Sequence, residues 1–120
     1  MRILSLHHIQ LAMPRGGEDR ARVFYGGVLG FDEVPKPADL AKRGGVWFRA
    51  GTLDVHLGAD DDFTPAKKAH PALLVDDLEA VKRACETAGH TTDQGQPLEG
   101  YVRADVHDPF GNRIELLQRL

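Results

Sequence analysis

The chain holds one cysteine, Cys85, among its 120 residues. A lone thiol excludes an internal disulfide framework and fits a reducing cytoplasm. No apolar run approaches the roughly 20 residues that a membrane-spanning helix needs. The opening, MRILSLHH, is too short and turns polar too soon for a secretory signal. Excess charge is missing as well: the formal net charge is −3 and the pI is near 6.0. That balance gives no reason to expect nucleic acid or an anionic membrane as a partner. The one short basic run, Lys67 and Lys68, reads as a solvated loop pair. The length allows one compact domain, or two small modules sharing a core.

What the chain does have is one pattern written twice. HHIQLAM opens the first half and HPALLV the second, each a short apolar-polar alternation expected of a half-buried strand. A helix is expected after each. In the first, Ala21, Phe24, Tyr25, Val28 and Leu29 form the apolar stripe, Gly26 and Gly27 weaken it, and Gly30 ends it. In the second, Asp76 or Asp77 caps the start, Leu78, Val81, Cys85 and Ala88 form the stripe, and Gly89 ends it. Cys85 on that stripe reads as packing. Extended segments follow: VWFRAG and LDVHLG in the first half, YVRADV and NRIELLQ in the second, the latter pair joined by a turn at Asp108 to Gly111. A third strand is expected near 32–35 and again near 91–94. This gives a module over 1–59, a linker over 60–68 and a module over 69–120.

The spacing supports duplication. Gly30 and Gly89 lie 59 positions apart, as do His56 and Glu115, while His8 and His70 lie 62 apart. Strand alternation then assigns faces. Ile9, Leu11, Val55, Leu57, Leu73, Val75, Ile114 and Leu116 should pack under the helices. His8, His56, His70 and Glu115 should all lie on the opposite face, with Trp47, Arg49, Tyr101 and Arg103. His7 falls on the packed side and is not expected to be a ligand. Asp54 and His107 read as ordinary polar strand residues, and His90 as a surface or helix-end contact. Three imidazoles and a carboxylate suit a divalent first-row ion such as Zn, Ni, Fe or Mn.

HHIQL, RVFYGGVLGF, HPALLVDDLEA and DPFGNRIELL resemble the vicinal oxygen chelate superfamily. It includes glyoxalase I, extradiol dioxygenases, methylmalonyl-CoA epimerase, fosfomycin-resistance thiol transferases and bleomycin-binding proteins. The resemblance covers nearly the whole chain. It implies an α+β fold of tandem βαβββ modules, a curved mixed sheet around a cleft with helices on its outer face. It implies a metal site drawn from the first and last strands of each module, onto which His8, His56, His70 and Glu115 map. It also implies a glyoxalase-type lyase or isomerase acting on a small oxygenated substrate that chelates the metal, in a homodimer. An extradiol-type dioxygenase and a non-catalytic small-molecule binding protein are the alternatives. His56 departs from the glutamate usual in glyoxalase I and the glutamine usual in the epimerase. It is a fourth ligand, a base or a substrate contact. Arg49 and Arg103 could neutralise an acidic group of the substrate, Trp47 could line its cleft, and Tyr101 could donate a proton or hydrogen bond.

Overall fold

The computed structural model describes residues 1–120. The first module runs β1 (Ile9–Pro14), α1 (Glu18–Ala21), β2 (Asp32–Val34), α2 (Ala38–Ala41), β3 (Val46–Ala50) and β4 (Leu53–Asp60). The second runs β5 (Ala72–Leu74), α3 (Leu78–Thr87), β6 (Thr92–Gln94), β7 (Tyr101–His107) and β8 (Arg113–Arg119). Each module makes its own four-stranded mixed sheet, in the order β1-β4-β3-β2 and β5-β8-β7-β6. β1 and β5 are both edge strands, so the strands form two sheets and no ladder joins them into one. In each sheet the first strand runs parallel to the last, and the others are antiparallel.

The register turns the sequence repeat into a structural one. Gln10 pairs with His56, and Ala72 pairs with Glu115. These pairs are offset by the same 62 and 59 positions that separate His8 from His70 and His56 from Glu115. Alternation then works as elementary geometry requires. Val46, Phe48, Val55 and Leu57 are buried on one face of the first sheet, and Ala104, Val106, Ile114 and Leu116 on one face of the second. One core of 16 buried residues draws on both modules.

The first helix differs from the regular one expected. After Ala21 it widens into π-type turns over Arg22–Val28, with the Leu29 N–H donating to the Phe24 carbonyl at 2.9 Å. Gly26 and Gly27 hold a helix weakly, and the wider turn lets two consecutive residues, Phe24 and Tyr25, both reach the core. The second helix is regular, and the Asp77 side chain accepts from the Ala80 N–H at 3.0 Å to cap it. The short helix α2 went unread in the sequence; it lies between Pro37 and a glycine pair, Gly44 and Gly45.

Gly45 shows how tightly β3 enters its sheet. Its φ is +95°, and a Cβ there would sit 2.4 Å from the Leu57 carbonyl oxygen. Gly45→Ala is therefore expected to destabilise the protein by more than about 1–2 kcal/mol, from the left-handed backbone alone. A thermal melt checks this, and an unchanged midpoint would contradict the packing described for β3 and β4.

Candidate functional site

The metal-suited side chains form two pairs, one on each sheet. In the first module the His56 ring is sandwiched. His8 stacks on it at 4.2 Å between centroids, and Trp47 stacks on it at 4.0 Å with only 5° between planes. β4 and β3 set this up, because Trp47 and His56 are register partners across the ladder. His8 comes from just before β1, and its Nδ1 lies 2.9 Å from Nδ1 of His7, one donating to the other. Burial lowers the His56 pKa, the nearby His8 lowers it further, and Asp54 works against both. A neutral ring is the form that can accept a proton or bind a metal.

In the second module Glu115 is 7% exposed and sits in the middle of β8. His70 Nε2 lies 3.0 Å from its Oε1, and Arg103 Nη1 donates to its Oε2 at 3.1 Å. Burial pushes the Glu115 pKa up, but the hydrogen bonds from His70 and Arg103 outweigh it and the net shift is down. His70 Nδ1 donates to the Lys68 carbonyl at 2.7 Å. Nε2, the nitrogen facing Glu115, donates to Oε1, and a metal bound there would take the place of that proton. A backbone carbonyl on the remote nitrogen is the usual support of a metal-binding histidine.

The four expected ligands do not meet within one chain: no group of three or more His, Cys, Asp or Glu side chains is placed to hold an ion. The helix-side faces of the sheets share one core, and the helices of the two modules touch. The His8–His56 pair and the His70–Glu115 pair form no common cluster.

The remaining candidates divide. Arg103 is at the site, tied to Glu115 and, through Nε, to the Gln96 carbonyl. Trp47 is there as the floor of the imidazole stack. Arg49 is engaged by Asp54 at 2.7 Å on the half-exposed end of β3. Tyr101 shares the face of Arg103 but begins β7, four residues from the Glu115 partner Asp105 and so about 13 Å along the strand. His90 packs on Phe24 at 4.7 Å, and its Nδ1 contacts the His107 carbonyl at 3.1 Å. Cys85 is fully buried, and that burial raises its thiol pKa.

Sequence reasoning missed two features near the site. Gln10, on β1 and the register partner of His56 on β4, reaches over Gly58, where an added Cβ would lie 2.4 Å from its Nε2. Asp105, the register partner of Glu115, holds Arg113 at 3.1 Å. Alternation along YVRADV placed Asp105 with Arg103, so its position could have been read.

Twin βαβββ modules, each with a polar pair where its first strand meets its last, define the vicinal oxygen chelate class. A family profile described as a glyoxalase-like domain matches residues 12–117. The chain belongs to this glyoxalase-like family. A glyoxalase family protein from Bacillus anthracis is 40% identical, with a TM-score of 0.95 over 100% of this chain and 98% of that one. At lower identity the fold alone is shared. FosX, a fosfomycin resistance protein from Listeria monocytogenes, is 14% identical with a TM-score of 0.80, covering 99% of this chain and 96% of that one. TnmS3, an antibiotic binding protein from Streptomyces sp. CB03234, is 21% identical with a TM-score of 0.74, covering 99% and 100%. No curated protein matches the chain. No helix is long and apolar enough to cross a membrane.

Proposed function

We propose that this chain is a metal-dependent enzyme of the vicinal oxygen chelate type, a lyase or isomerase acting on a small substrate with two neighbouring oxygens. The observation that carries this reading is the Glu115 environment. A buried carboxylate on an open sheet face is gripped by one imidazole and one guanidinium, and that imidazole is already oriented by a backbone carbonyl. The residues fit a divalent ion by donor chemistry, imidazole nitrogen with carboxylate oxygen. They do not supply a full set from one chain. A homodimer, with the His8–His56 pair of one copy facing the His70–Glu115 pair of the other, completes the set.

His8, His70 and Glu115 would hold the ion, with His56 as fourth ligand or as base. The ion, when bound, supplies Lewis acidity for a developing oxyanion. The chain's own residues do the rest. Trp47 fixes the plane of His56 by stacking, so the imidazole edge is held in one orientation for taking and returning a proton. Arg103 keeps Glu115 ionised and occupies Oε2, leaving Oε1 turned toward His70.

Arg103→Ala is therefore expected to weaken divalent-ion affinity about 10- to 100-fold. Arg103→Lys should recover only part, because an ammonium cannot reproduce the guanidinium fork that reaches both Gln96 and Glu115. Calorimetric titration of apoprotein with Zn, Ni, Mn and Fe(II) checks both, and unchanged affinity in Arg103→Ala would remove Arg103 from the site. Turnover with hemithioacetals, beside oxygen uptake with catechols, tests the reaction class. Metal-dependent isomerisation without oxygen uptake is the expected result.

The binding-protein reading is favoured by one observation, the flat column of Trp47, His56 and His8, which could stack an aromatic ligand. It predicts ligand binding that is indifferent to chelators.

A further inference from the structure

Residues Met1–Leu6 run out from the fold, and only Leu6, at their root, borders a groove of the same chain. Met1, Ile3, Leu4 and Leu6 are exposed by 123%, 96%, 85% and 71%, and no backbone hydrogen bond involves the segment. Four large apolar side chains in six residues are poorly suited to water. Beside the root of this arm lies an apolar groove of about 600 Å³ between the edge strands β1 and β5, lined by Leu6, Ile9, Leu11, Phe63, His70 and Pro71 among others.

We propose that Met1–Leu6 is a docking arm and that the groove of a second copy of this chain receives it. This rests on the two-copy site of the proposed function, and the link is geometric. The arm ends two residues before His8. The groove is lined by His70. Any assembly that brings His70 of one copy to His8 of the other also brings that copy's groove to the arm. Two-fold symmetry then makes the exchange reciprocal.

Reach agrees. Six extended residues span about 20 Å. Both strands flanking the groove have a free edge, so the arm's backbone can find partners there as well as its side chains.

The test is sedimentation of the full chain, stripped of metal, against a variant carrying Ile3→Asp and Leu4→Asp, with Glu115→Ala as control. The parent and Glu115→Ala should sediment as dimers. The arm variant should dissociate at least about 100-fold more readily, with its circular dichroism unchanged, because both positions lie outside the core. Hydrogen exchange adds a second readout: amides of residues 3–6 should be protected in the parent and lose that protection on dilution. A variant that dimerises like the parent, or a parent whose arm amides exchange freely at every concentration, overturns the proposal. The outcome is separable from the enzyme reading. A chain that binds no metal but loses its dimer with the arm keeps this inference and sinks that one. A metal-binding dimer indifferent to the arm does the reverse.

Discussion

Glu115→Ala is expected to reduce divalent-ion affinity by at least about 100-fold and to abolish turnover. Loss of a neighbouring support residue alone costs 10- to 100-fold in such sites, and Glu115 is argued to be a ligand itself. The substitution also strands Arg103 and His70, which now meet at the carboxylate. Glu115→Gln is the sharper variant. It keeps the volume and can still accept from Arg103, so the fold should persist while the negative charge is gone. Titration of apoprotein with each ion, beside a urea unfolding curve, separates the two effects. Parent-like affinity in Glu115→Gln would contradict the assignment.

Asp108→Ala is expected to produce the largest loss of stability, at least about 3 kcal/mol. Asp108 is 4% exposed and collects four donors. Its Oδ1 accepts from the Phe110 and Asn112 N–H groups, each at 2.9 Å, and its Oδ2 from the Tyr25 hydroxyl at 2.8 Å and Asn112 Nδ2 at 2.9 Å. Asn112 Nδ2 also donates to the Ala12 carbonyl at 2.8 Å. The turn of the second module is thus bolted to the helix and first strand of the first. Truncation leaves these buried donors without a partner, which costs more than the bonds themselves contribute. Denaturant unfolding checks it, and a loss under about 1 kcal/mol would show that water replaces the carboxylate.

The same network has a pH signature. Burial raises the Tyr25 pKa well above its usual value, and the Asp108 charge and hydrogen bond raise it further. A group whose proton is held more tightly in the folded state contributes stability that is fully present below its unfolded pKa. That contribution falls away as pH rises above about 10, the ordinary tyrosine value. The parent should therefore lose stability in alkali more steeply than Tyr25→Phe. Parallel curves for the two would contradict this role.

Much of this was legible because strands enforce a period of two. Once Val55 and Leu57, or Ile114 and Leu116, are put under a helix, His56 and Glu115 have only the other face to occupy. The sequence spacing between halves survived for the same reason, since register is set residue by residue along a ladder. The π-type widening at Arg22–Val28 was not legible, because a helical stripe looks the same until two neighbouring residues are found buried together. Nor was the Asp108 network. DPFGN reads as a turn, and nothing local says that Tyr25, 83 positions away, reaches it. The separation of the four ligands into pairs was hidden most completely. Parity gives the face of each sheet but not how two sheets are set against each other.

The central claim is that the pairs His8–His56 and His70–Glu115 from two copies make one divalent-ion site. Co-expression of a variant lacking the first pair (His8→Ala, His56→Ala) with one lacking the second (His70→Ala, Glu115→Ala) tests it directly by metal content. Neither variant alone should retain metal. In the mixture half of the dimers are hybrids, and each hybrid rebuilds one intact site, so about a quarter of the parent's metal content should return. A mixture as empty as its components would contradict a shared site.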